Sequence, residues 1–136
     1  MDEQGILVEI MKKLQKKYTS VNEICKTTQE MQDALSRDDR VSMQMLISMR
    51  QSDIDIAADC DRDIRYLLSV LLPEKRDQVR GWLNTGNAEE SDGFEAVKIG
   101  EIAESIRKVL NKTIQTDQRM SQRVAGKDSF YTESKG

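Results

Sequence analysis

Histidine is absent from this chain, and that absence removes whole classes of chemistry. Serine–histidine and cysteine–histidine catalysis need an imidazole as base, and histidine-ligated zinc needs one as ligand. Simple general-base chemistry near neutral pH relies on one too. Aromatic residues make up only 4% of the sequence, and Pro73 is the single proline. A β-sandwich or a thick globular core draws on aromatic and β-branched residues that such a composition does not supply. No run of 18 apolar residues occurs, so no membrane span is expected. No glycine-rich phosphate loop is present either. The net charge is −3 at pH 7, and no region is basic enough to release many counterions, which argues against nucleic acid as a partner. The only cysteines, Cys25 and Cys60, both fall within helical patterns. The N-terminus opens on Asp2 and Glu3, not on a basic stretch followed by an apolar one. The expectation is reduced thiols in a cytoplasmic chain without a secretion signal. No cofactor, no metal and no enzymatic activity are expected.

What the sequence does supply is helical periodicity. Leu7, Leu14, Val21, Thr28 and Leu35 recur every seven positions, with Ile10/Met11, Tyr18, Ile24/Cys25 and Met31 three or four residues later. That spacing lays one stripe along a helix of about 29 residues, roughly 43 Å long. A stripe of that length needs partners of equal length. The first helix is predicted from about Asp2 to Leu35, with Lys12, Lys13, Lys16 and Lys17 as a basic collar. Ser36-Arg37-Asp38-Asp39 reads as a turn, Ser36 and Asp39 standing in capping-box order. A second helix follows to about Leu72, with Val41, Met45, Met49, Ile56, Cys60, Ile64, Leu67 and Leu71 as its apolar positions. So short a turn between such long helices implies an antiparallel hairpin.

Pro73 ends this helix and suits the first turn of another, predicted over Glu74 to Leu83. A polar loop from Asn84 to Gly93 leads to a last helix, from near Phe94 to Val124. Asp92 is its predicted N-cap, with Glu95 three residues later, and Gly126 its predicted stop. The predicted fold is all-α: a long antiparallel helical hairpin, a short helix and a long C-terminal helix. Together they make an elongated three- or four-helix bundle with coiled-coil-like packing. Residues 1–125 form one domain, and 126–136 a disordered polar tail.

Candidate sites are few. Asp53, Asp55, Asp59, Asp61 and Asp63 are the densest acidic cluster. The run from Asp59 to Asp63 matches the first ligand spacings of a calcium-binding loop. The match then fails at Ile64, where glycine is needed, and at Val70, where glutamate is needed. A solvated face is the expected reading, with an electrostatic contact to a basic partner as the functional one. Met31, Met43, Met45 and Met49 cluster near the first turn, as gap-fillers between helices or as an adaptable surface. Trp82 is expected to pack the short helix onto the hairpin, its alternative role being an exposed anchor. The final helix is basic, with Arg107, Lys108, Lys112, Arg119, Arg123 and Lys127 against Asp117. It is either the last member of the bundle or a detachable helix that binds an amphipathic helix of another protein.

The segments Ala34 to Asp39, Leu46 with Arg50, and Arg62-Asp63-Ile64-Arg65-Tyr66-Leu67-Leu68 carry a resemblance. They resemble the bacterial flagellar export chaperones for the hook–filament junction proteins, the FlgN-like family. The resemblance extends by overall organisation across residues 5–125. It implies a cytoplasmic cargo chaperone without enzymatic activity. Such a protein holds the amphipathic terminal helices of a hook-associated or filament-type subunit, prevents premature assembly and delivers the subunit to a component of the export apparatus. It implies cargo binding on the final helix, at Ile102, Ile106, Val109, Leu110, Thr113, Ile114 and Met120, with Phe130 and Tyr131 as any contact in the tail. The alternative from the residues alone is a structural or adaptor coiled-coil protein that self-associates, as a homodimer for example, through its own seams.

Overall fold

In the computed structural model, which describes the backbone of residues 1–135 and the side chains of residues 1–125, the chain is all-helical. Helix α1 spans Glu3–Ser36, α2 Arg40–Ser69, α3 Pro73–Thr85 and α4 Phe94–Lys135, with a single 3-10 turn, Glu90–Asp92, ahead of α4. The predicted stripe of α1 is its buried seam. Leu7, Leu14, Val21 and Thr28 are all buried, and so are Ile10, Ile24, Cys25 and Met31. Asp2 caps the helix by accepting from the Gly5 N–H at 2.7 Å.

The turn is built differently from the expected capping box. Ser36 closes α1, its hydroxyl donating to the Gln32 carbonyl at 3.1 Å. Asp38 reverses the chain at φ 55°, in the left-handed region that aspartate tolerates better than most residues. Asp39 is then the N-cap of α2, accepting from both the N–H and the hydroxyl of Ser42. Those two hydrogen bonds hold the Asp39 carboxyl below the usual carboxylate range.

The N-terminal half of α2 departs from its predicted stripe. Val41, Met45, Met49 and Ile56 are exposed, while Leu46, Cys60, Ile64, Leu68 and Leu71 are buried. The physical reason is that α2 carries apolar residues on more than one face. The line through Leu46, Cys60 and Ile64 meets α1, and Val41, Met45 and Ile56 lie roughly 100° around the axis from it. Of the four clustered methionines, Met31 and Met43 pack at the α1–α2 end while Met45 and Met49 face solvent.

Pro73 occupies the first turn of α3 and Leu72 before it is extended. The Arg76 guanidinium donates to the carbonyls of Leu68, Ser69 and Leu71, tying the end of α2 to α3. Trp82 and Val79 are fully buried against the hairpin and α4, as the packing role of Trp82 required. The Lys75 ammonium sits 5.0 Å from the centre of the Trp82 ring. Asp92 does not cap α4. It closes a capping box with Glu89 around the 3-10 turn, and α4 begins on the Gly93 carbonyl. Nor does Gly126 end α4, which runs through Lys135. An internal glycine costs about 1 kcal/mol against alanine, too little to stop a helix alone. The expectation of a disordered tail over 126–136 falls on residues whose side chains lie outside the described residues, as do Phe130 and Tyr131.

Which helix touches which fixes the cross-section. Helix α1 packs against α2 and α4, and α3 packs against α4 and the end of α2. Among the described residues no Cα of α1 comes within 8 Å of α3, and none of α2 within 8 Å of α4. The four helices therefore occupy the corners of a square, with α1 opposite α3 and α2 opposite α4. Cross-links set the directions. Lys17 pairs with Asp61 at 2.7 Å and Lys13 with Asp63 at 3.1 Å, so α2 runs antiparallel to α1. Met11 and Phe94 border one opening near the starts of α1 and α4, and Arg123 donates to the Ser36 hydroxyl at 2.8 Å near the end of α1, so α4 runs parallel to α1.

Candidate functional site

The corner opposite α1 is filled over only part of its length. Helix α3 has 13 residues against 34 in α1, so it covers roughly 20 Å of a bundle roughly 50 Å long. The face of α4 beneath it is made of small residues: Ala96, Gly100 and Ala103, with the Arg107 guanidinium donating to the Leu83 carbonyl at 2.6 Å. At helical spacing the same face continues past α3 through Leu110, Ile114, Asp117, Ser121 and Val124. Ile114 is 50% exposed and Val124 43%. On α2 the corresponding line runs from Leu68, which is buried, through Asp61, Ile54 and Ile47 to Arg40. Ile54 is 39% exposed and Ile47 48%.

The two lines border one trough, and a polar cluster marks its centre. The Arg50 guanidinium reaches from α2 to the Asp117 carboxylate on α4 at 2.8 Å and to the Thr28 hydroxyl on α1 at 3.2 Å. Ile47 and Ile54 stand one turn either side of Arg50, and Ile114 one turn before Asp117. Thr28 itself is completely buried and donates to the Ile24 carbonyl at 2.7 Å. Thr113 and Thr116 on α4 are buried too and bond back to the carbonyls of Val109 and Lys112. This threonine layer separates two apolar clusters. One extends from Leu7 and Trp82 to Val21 and Ile106, and the other holds Met31, Ala34, Leu46 and Met120.

The seven positions expected to hold cargo divide by face. Ile106, Thr113 and Met120 are buried at the bundle centre, and Ile102 and Val109 are half-buried against the core. Leu110 is likewise half-buried against the core, and Ile114 alone is exposed on the trough's side. The sequence did not single out Ile47 and Ile54, whose only signal was their spacing around Arg50. The acidic cluster proves to be largely an ion-paired face. Asp61 and Asp63 pair with the lysine collar, Asp59 with Arg62, and Asp55 accepts from Gln51. Among the described residues no group of acidic or cysteine side chains is arranged to hold a metal. Cys25 and Cys60 are free and buried, and burial pushes the Cys60 thiol up, away from the reactive thiolate.

A second opening of about 450 Å³ lies between α1 and α4, bordered by Met11, Tyr18, Phe94 and Ile102. Two lysines, Lys12 and Lys98, border it, each already paired with a glutamate on its own helix. No helix among the described residues is long and apolar enough to cross a membrane. Comparison with family models, with curated protein sequences and with solved structures returns no match.

Proposed function

We propose that the protein is a cytoplasmic export chaperone. It binds an amphipathic terminal helix of a hook-associated or filament-type flagellar subunit, keeps the subunit from assembling prematurely and passes it to the export apparatus. The observation that carries this reading is a helical bundle whose fourth corner is filled for less than half its length, with aliphatic side chains on both walls of the remainder. A subunit that assembles through coiled-coil seams exposes an apolar stripe beforehand, and an open bundle corner covers such a stripe reversibly. The reading needs no catalytic residue.

The test is to mix the purified chain with a purified hook–filament junction subunit. Size-exclusion chromatography then follows the mixture, and light scattering follows polymerisation. The expected result is one mixed complex and suppressed polymerisation. Separate elution of the two proteins, with polymerisation unaffected, overturns the proposal.

One observation favours the second reading, a self-associating structural or adaptor protein. The outer side of α2 exposes Val41, Met45 and Met49 near its start and Tyr66 near its end, with Val70 just past it. An exposed apolar group such as Val41, Met45 and Met49 is a candidate contact between copies. Sedimentation at rising concentration separates the readings, since a self-associating chain forms a stable homo-oligomer without cargo.

A further inference from the structure

The trough between α2 and α4 also specifies the chemistry of its occupant. Among the described residues, the carboxylates on its two bordering lines are already engaged. Asp61 pairs with Lys17, Asp117 with Arg50 and Glu104 with Arg107, and Asp55, one position further out, accepts from Gln51. Two cations on its rim make no ion pair among the described residues. These are Arg40 at the lower end of α2 and Lys108 where α4 emerges from beneath α3. Between them the rim carries side-chain amides, among them Gln51, Asn111 and Gln118. Although the whole chain has a net charge of −3, this opening presents unpaired positive charge beside aliphatic walls. Helix α3, lying in the same corner, shows what shape fits there: a single helix packed along α4 between the two long walls.

We propose that the open length of this corner is the seat of a partner's amphipathic helix with acidic flanks. Its aliphatic stripe lies between Ile47 and Ile54 on one side and Ile114 and Val124 on the other. The helix continues the line of α3, over about 14 residues or roughly 21 Å. Apolar contact supplies the affinity, while Arg40 and Lys108 select the acidic flank and raise the association rate. The assignment rests on the chaperone reading only for the identity of the partner.

The experiment uses the full chain with isoleucine methyl groups labelled for NMR. The probes are two synthetic helical peptides of about 16 residues, identical in their leucine stripe, one flanked by glutamates and the other by lysines. The expected result is that the glutamate-flanked peptide shifts the methyls of Ile47, Ile54 and Ile114 and leaves those of Ile10 and Ile99 in place. Ile54→Asp and Ile114→Asp each weaken it by about tenfold or more, Met45→Asp on the outer face of α2 leaves it unchanged, and 0.5 M salt weakens it. The proposal is overturned if the lysine-flanked peptide binds as well or better, if Met45→Asp removes binding, or if neither peptide moves the trough methyls. The wild-type methyl shifts decide the question even if a variant is unstable. The two proposals fail separately. A junction subunit held equally by wild type and by Ile54→Asp overturns the trough while leaving the chaperone reading intact. A peptide seated in the trough of a chain that holds no junction subunit does the reverse.

Discussion

Gly86 and Gly100 meet backbone to backbone where α3 ends against α4, and their substitutions separate two uses of glycine. Gly86 is the residue after α3 and sits at φ 65°, which an L side chain adopts only with strain. Gly100 is helical, and a Cβ placed there meets the Gly86 Cα at 3.4 Å and its oxygen at 3.5 Å, ordinary contact distances. Gly86→Ala is expected to destabilise by about 1 kcal/mol. Gly100→Ala is expected to stabilise by roughly 0.5–1 kcal/mol through helix propensity. Urea denaturation of the two variants measures both, and the opposite signs are the prediction. At this scale much could be read from residue type alone. The buried seam of α1, the packing of Trp82 and the first-turn role of Pro73 each follow from one side chain's chemistry. The left-handed Asp38 could not be read, because nothing local distinguishes it from Asp39, and so the cap of α2 was placed on Ser36.

Among the elements, α2 and α4 are joined across the square's diagonal by side chains, chiefly through the Arg50–Asp117 pair over Thr28. Arg50 is largely buried and Asp117 about half exposed, so solvent screens the pair substantially. Arg50→Ala is expected to cost about 1–2 kcal/mol, much of it from the lost packing of the arginine stem. Asp117→Ala should cost about 0.5–1 kcal/mol, and a double-mutant cycle should return a coupling of roughly 0.5–1 kcal/mol. Additive single changes in chemical denaturation would show that the two helices are independent. The hairpin, the short third helix and the long fourth were all legible, since periods of 3.5 residues and a lone proline are local signals. The inward face of α2 was not. Its residues from Val41 to Ile56 satisfy helical spacing on two faces, and only the position of α1 selects the one through Leu46. The trough was half legible for the same reason. The resemblance pointed to Leu110 and Ile114 on α4, but their meeting with Ile47 and Ile54 depends on α3 being short and lying diagonally opposite α1.

The molecule as a whole should lose stability in acid. The carboxyl of Asp39, bonded by Ser42, and that of Glu104, bonded by Arg107, are both held below the usual carboxylate range in the fold. The unfolded chain therefore binds more protons than the native one as the pH falls. Their stabilising contribution is complete above the ordinary carboxylate values, about 4 to 4.5, and is lost as the pH drops through the lower folded values. Thermal unfolding midpoints should be flat from neutrality to about pH 5 and fall below it, and an Asp39→Asn, Glu104→Gln double variant should show a shallower fall. Lys13 works in the opposite direction. Its ammonium is held above the usual lysine range by Asp63, so its contribution persists through neutral pH and disappears only in strong alkali. The sharing of α1 between α2 and α4, which meet each other only through side chains, has a consequence during synthesis. Once Leu71 is made the hairpin can close, yet the side of α1 that α4 covers stays bare until Thr113 and Met120 have been added. At 5–20 residues per second that interval lasts roughly 3 to 10 seconds. For those seconds a nascent copy on a polysome displays an adhesive ridge, open to the finished α4 of a copy further along the same message.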